Sequence, residues 1–302
     1  MNPQRMQLPD GRWHFQHGPM DIIIGAHGRP VAVEAAHAKA WERFSRILGE
    51  LVEELPLLRQ PVLDECHLEG GIARRMWNAC HPYRRDFITP MAAVAGAVAQ
   101  ELVACYANSG IERAWVNNGG DIALHLAPAQ SVRIGLYADL ARLDVNEVLA
   151  GVHTDGQFEV CSALPVRGVA TSGWRGRSFS LGIADSVTVL ARTAAEADAA
   201  ATMIANAVDV ADVRIKRGRA CDLKDDTDLG EMLVTIDVPL LGVETVQCAL
   251  RAGLERAQTL RAEGLIWSAA LVCQNQMMVT SDKTSQRRKN HSAEVPVGSV
   301  FA

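Results

Sequence analysis

The chain has 302 residues, of which 48% are hydrophobic and 22% charged, with a formal net charge of −5. That length and apolar content are enough for a large buried core, in one domain or in two fused halves. The acidic balance, without a basic face or a regular alternation of basic and aromatic residues, argues against a nucleic-acid partner.

The seven cysteines, an odd number with no CxxC pair, fit reduced thiols better than a disulfide framework. The opening segment MNPQRMQLPDGRWHF lacks the apolar region of an export signal. The alanine-rich run from Met91 to Ala99 is cut off by Gln100 and Glu101, too short to cross a bilayer. A cytoplasmic protein without a membrane partner is therefore expected.

In chain order, Arg12 to Gln16 and Met20 to Ile24 read as a hairpin around His17-Gly18-Pro19. An amphipathic helix is expected from about Val33 to Leu55. His14, His17, His27 and His37 follow no ligand spacing, and the adjacent pairs Cys66-His67 and Cys80-His81 lack the usual zinc-loop spacing. Thr89 is placed as an N-cap with Pro90 at N1, opening a helix from Met91 to Tyr106. Gly96 inside it costs about 1 kcal/mol against alanine, so close packing is expected on that face.

A meander follows: strands from Arg113 to Asn117, Asp121 to Leu126 and Ser131 to Tyr137. The tip between the first two, Asn118-Gly119-Gly120-Asp121, is a hairpin turn whose glycines supply positive φ. A ligand role would be additional, through bare amides and the Asp121 carboxylate. Residues 139–150 suggest a short helix, and Gln157 to Ser162 a strand.

The central stretch spans residues 168–207. A small-residue turn, Ala170-Thr171-Ser172-Gly173, precedes Arg175 and Arg177, and a β-branched strand runs from Ser186 to Leu190. Thr193 and Glu196 form a capping box that opens an alanine-rich helix. On that helix Asp198 and Thr202 lie four apart and share a face. Two oxygen ligands one turn apart, near hydroxyls and two guanidinium groups, suit Mg²⁺ and a phosphate; a solvated polar stripe is the plainer alternative.

Beyond it, the acidic stretch from Cys221 to Gly230 lacks calcium-loop spacing and reads as a solvated linker. A strand from Leu233 to Val238, a helix from Val243 to Glu263 and a last hairpin (Leu265 to Val272, Met277 to Thr280) complete the pattern, with a polar tail over 283–302. Residues 1–282 are read as one α+β domain, and its two alanine-rich helices hint at related halves, about 1–137 and 138–282.

Three stretches in register resemble the ApbE superfamily, whose best-known members are flavin transferases: Asn118-Gly119-Gly120-Asp121, Ala170-Thr171-Ser172-Gly173, and Ala197-Asp198 with Thr202. The resemblance covers roughly residues 85–210. It implies two related α/β halves with antiparallel sheets, a cleft between them, and a Mg²⁺-dependent enzyme that splits FAD and attaches FMN to a threonine of a partner protein. Asp198 and Thr202 would then hold the metal and act in catalysis. Asn118, Gly119, Gly120, Asp121, Thr171, Ser172, Gly173, Arg175 and Arg177 would line the site for FAD or FMN, and the helix after Thr89 would lend a backbone carbonyl. The chain departs from that pattern in two places. Met91-Ala92-Ala93-Val94-Ala95-Gly96 carries no lysine, and Gly176 to Gly182 is shortened and lacks an Asp-Pro pair. These departures suit a divergent branch of the superfamily. They keep open a non-catalytic flavin or planar-heterocycle binder serving a partner enzyme, or a different reaction in the same cleft. A homodimer is compatible with this reading.

Overall fold

Strands rich in Val, Ile and aromatic residues alternate with helices whose apolar residues recur every three or four positions, so both kinds of element bury one side against a common core. In the computed structural model, which describes residues 2–136, 156–280 and 297–300, these elements form an α+β fold. The helix expected at 139–150 lies outside the described residues.

Nine strands make one antiparallel sheet: β1 (Gln4–Gln7), β2 (Trp13–His17), β3 (Met20–Gly28), β4 (Ile111–Asn118), β5 (Asp121–Leu126), β8 (Gly168–Ser172), β9 (Ser186–Ala191), β12 (Ser268–Cys273) and β13 (Gln276–Val279), in that order across the sheet. The sheet passes between the two expected halves without a break, because β5 pairs with β8 through Ile122↔Val169 and Ala123↔Gly168. Two strands inserted there, β6 (Ser131–Leu136) and β7 (Gly156–Cys161), pair with each other and with β14 (Val297–Val300) in a separate small sheet. Part of the segment expected as a tail thus forms a strand. Another pair, β10 (Lys216–Arg219) and β11 (Leu233–Asp237), forms a ribbon of its own.

Among the described residues, five longer helices cover the sheet: α1 (Pro30–Glu53), α2 (Gly71–Cys80), α3 (Val94–Val103), α4 (Ala194–Ala207) and α5 (Val243–Ala262). All five contribute to one hydrophobic core together with Val116, Ala123, Ala170, Val187 and Val189 of the sheet. A smaller cluster, including Trp115, Ile122, Leu124, Ile134 and Val160, joins β4 and β5 to the inserted sheet. Strands β4 and β5 are therefore covered on both sides, which explains why DIALHL shows no clean alternation. No helix among the described residues is long and apolar enough to cross a membrane.

Several local expectations shift. Helix α1 begins at Pro30 rather than Val33, with proline in its first turn and Ala36, Ala40, Phe44, Ile47 and Leu51 as its buried stripe. The expected turn at 170–173 is strand as far as Ser172, and the chain bends only from Gly173. Thr89 does not cap a helix. A 3₁₀ turn, Pro90–Ala93, separates it from α3, and its hydroxyl donates to the Asp228 carboxylate instead. The Thr193–Glu196 capping box forms as expected, the Glu196 amide donating to Thr193 Oγ1 at 3.2 Å and the Thr193 amide to Glu196 Oε2 at 3.1 Å.

Alanines make α4 thin, and its first turn meets the first turn of α3 backbone to backbone. A Cβ on Gly96 would stand 2.3 Å from the Ala194 carbonyl oxygen. Two predictions follow for urea unfolding. Gly96→Ala gains about 1 kcal/mol of helix propensity but must push two backbones apart, so a net loss of about 1–2 kcal/mol is expected; a stabilised variant contradicts the contact. Thr193→Ala removes the capping box and is expected to cost about 1 kcal/mol; an unchanged midpoint contradicts that role.

Candidate functional site

The start of α3 is where separate elements converge. A helix start leaves amide donors without intrahelical partners, and Ala93, in the N-cap position of α3, has no side chain to satisfy them. Asp198, from the second turn of α4, supplies the acceptor across the helix contact: its Oδ2 takes the Gly96 amide at 2.9 Å. One residue earlier, the Ala95 carbonyl accepts from Asn118 Nδ2 at 3.1 Å, which ties the β4–β5 tip to the same point. That tip is a two-residue turn, Gly119 (φ 67°) and Gly120 (φ 107°), with Asn118 paired to Asp121 and the Gly120 amide held by Asn117 Oδ1 at 2.9 Å.

Asp121 is buried, 8% exposed, and its Oδ1 accepts the Thr171 amide at 3.2 Å. Burial pushes its carboxyl well above the usual range and the nearby Asp198 charge pushes it further, against the Thr171 amide. Burial likewise raises Asp198, to about 7, in spite of the Gly96 and Ala95 amides that favour its charged form. Among the described residues no Lys or Arg forms an ion pair with either carboxylate. The pair is held by backbone amides alone.

The other expected site residues divide. Thr171 stands at the end of β8 with its hydroxyl 2.9 Å from that of Thr188 directly across on β9. Ser172 is half-buried beside it. Gly173 is buried so tightly that a Cβ would lie 2.3 Å from the Asp185 carbonyl oxygen. Thr202 is half-buried one turn beyond Asp198. Arg177 reaches the tip region, its Nη2 donating to the Pro19 carbonyl at 3.0 Å and its Nη1 lying beside Gly119. Arg175 is engaged differently: its guanidinium stacks on Trp174 at 4.9 Å, and its Nε lies 3.7 Å from Asp185 Oδ1.

Sequence reasoning passed over Asp185, whose carboxylate also takes Trp174 Nε1 at 3.2 Å and the Gln274 amide at 2.5 Å, fixing the bend after β8. It passed over Asn117 and Thr188 as well; the register of β8 with β9, two threonines opposite each other, was the available signal for the latter. Of the two Cys/His pairs, Cys80-His81 is structural in placement: Cys80 is fully buried in the core and His81 stacks on Trp77 at 4.4 Å. Among the described residues no three His, Cys, Asp or Glu side chains gather around a common point.

The comparisons with known proteins bear on this arrangement. A family model described as AbpE bacteria matches residues 5–279. A UPF0280 protein of Methanopyrus kandleri is 35% identical over 227 residues, covering 74% of this chain and 86% of that protein. A UPF0280 protein of Methanothrix thermoacetophila is 38% identical over 138 residues, covering 45% of this chain and 52% of that one. The chain spans about half the length of this relative and of a second, from Methanospirillum hungatei. Among solved structures, the flavin transferase ApbE from Vibrio cholerae aligns over 95% of this chain and 99% of its own at 12% identity, with a TM-score of 0.44. With the family model matched across almost all of the described fold, the chain belongs to the AbpE bacteria family, an ApbE-like family.

Proposed function

We propose that the Asp121–Asp198 pair binds a divalent cation, Mg²⁺, that meets the diphosphate of a flavin nucleotide, and that the chain is a flavin-transferase-like enzyme acting on FAD. The observation that carries this reading is the pair itself: two buried carboxylates at one helix start, Asp121 raised further by the Asp198 charge, with no described Lys or Arg paired to either. The residues present fit a hard cation. Oxygen groups supply the set: the two carboxylates, the Ala95 carbonyl at the start of α3, the Thr171 hydroxyl, and Thr202 one turn beyond Asp198. Oxygen-only sets of this kind suit Mg²⁺ rather than zinc or copper.

When bound, the ion would neutralise charge on the phosphate oxygens during pyrophosphate cleavage. The chain's own groups do the rest. The Gly96 amide orients Asp198 and the Thr171 amide orients Asp121, so the two carboxylates keep their positions without a ligand. Gly119 and Gly120 leave the tip backbone bare for a close approach. Arg177, beside Gly119 and bonded to the Pro19 carbonyl, would take a phosphate oxygen. Arg175 would need to leave Asp185 to do the same. Transfer of FMN to a hydroxyl of a partner protein is the finer form of this proposal, with hydrolysis of FAD as its simplest partial reaction.

The test is calorimetric titration with Mn²⁺ and chromatographic assay of FMN release from FAD with Mg²⁺. Wild type is expected to bind about one ion per chain and to release FMN. Asp198→Asn, which can still accept the Gly96 amide, is expected to lose at least tenfold in metal affinity, about 1.4 kcal/mol, and to lose turnover. Unchanged binding in that variant contradicts the assignment. FAD bound equally well in EDTA, with no FMN formed, points to the carrier instead of the enzyme.

A pH effect follows in the metal-free protein. The folded Asp198 carboxyl is raised to about 7, so its contribution to stability is present at low pH and is lost as pH rises through about 7. In EDTA, Asp198→Asn should therefore gain in Tm relative to wild type between pH 5 and pH 8, by a few degrees, at about 2–4 °C per kcal/mol. Parallel Tm profiles contradict the buried charge.

A further inference from the structure

The acidic stretch after α4 is not a free linker. Two of its carboxylates are tied to the segment between α1 and α3: Asp226 pairs with Arg59, and Asp228 accepts the hydroxyl of Thr89 through Oδ2. Thr89 is only 2% exposed and extended (φ −108°, ψ 160°), and the chain before it is pinned by the Val62 amide donating to the Ile88 carbonyl at 2.8 Å. From Thr89 the chain has little freedom. Its carbonyl takes the Ala92 amide at 3.1 Å, closing the 3₁₀ turn Pro90–Ala93. That turn delivers Ala95, whose carbonyl holds Asn118, and Gly96, whose amide holds Asp198.

We propose that Asp228 is a positioning residue for the divalent-ion site: by holding the Thr89 hydroxyl it fixes the entry to α3 and thereby the backbone groups that orient Asp198 and the Asn118 tip. This rests on the metal-site reading given above. The bond is long-range, spanning 139 residues of chain, and it replaces the helix cap that Thr89 would otherwise form. The buried Cys80 thiol is raised well above the ordinary value, first by burial and then by the charges of Asp198 and Asp228. No other described side chain takes the Thr89 hydroxyl.

The experiment is a Mn²⁺ titration of the full chain, paired with Tm, for wild type, Asp228→Ala, Asp228→Asn, Thr89→Val and the Asp228→Ala/Thr89→Val double variant. Partners that orient metal ligands from behind typically change metal affinity by 10–100-fold. Asp228→Ala and Thr89→Val are each expected to weaken Mn²⁺ binding about tenfold, with the double variant no weaker than the singles. Asp228→Asn, whose amide oxygen still accepts the hydroxyl, is expected to stay within about twofold of wild type. A lowered Tm with unchanged Mn²⁺ affinity in Thr89→Val makes the contact merely structural and overturns the proposal. So does an Asp228→Asn variant as weak as Asp228→Ala, or a double variant that loses the sum of both. Thr89→Val is close to isosteric and keeps the test available if Asp228→Ala does not fold. A wild-type chain that fails to bind Mn²⁺ overturns the functional reading itself, a result distinct from any of these.

Discussion

The contact between the first turns of α3 and α4 is the constraint from which the site follows. Gly96 lets the two backbones meet, and the meeting brings Asp198 onto the Gly96 amide at 2.9 Å. An unpaired helix start attracts an anion through its free amides and its dipole. Burial works against the same charge. Asp198 sits where these two effects oppose each other, and Asp121 adds a second buried carboxylate to the balance. The protein thus keeps an electrostatic cost inside its core that a divalent cation would remove.

The sheet gives this pair its rigidity. Strands β4 and β5 are packed on both sides, by the helical core on one and by the inserted strands on the other. Their tip cannot drift, so Asn118 and Asp121 arrive at fixed places. The pairing of β5 with β8 then brings the Thr171 amide onto the Asp121 carboxylate, and the Thr171–Thr188 pair fixes the end of β8 against β9. A site assembled from a turn, a strand end and two helix termini is precise because each part belongs to a buried element. Loops contribute at the rim, where Arg175 and Arg177 already hold protein partners.

What could be read from the sequence was what depends on neighbouring residues. The capping box at Thr193 and Glu196, the Gly119-Gly120 turn and the buried stripe of α1 are all set within a few positions. The cost of Gly96 announced a close approach, and only the fold revealed Ala194 as the partner. Thr89 shows the opposite case. Its sequence context, a threonine before proline, favours a cap, but a carboxylate 139 residues away takes its hydroxyl. Asp228 and Asp226 looked like solvated charges for the same reason, since no local pattern encodes a partner that distant. Asp185 was missed because a lone aspartate before a strand carries no signal until Trp174, Arg175 and Gln274 are folded around it. The turn expected at 170–173 failed because β-sheet pairing, not small residue size, decides where β8 ends.

The most direct test of the central claim is a crystal structure of the chain soaked in Mn²⁺, with the ion located by its anomalous scattering. The account predicts one strong peak between the carboxylates of Asp121 and Asp198, with metal–oxygen distances of about 2.0–2.3 Å. A well-ordered protein without a peak there, or with the ion bound only at other carboxylates, would contradict it.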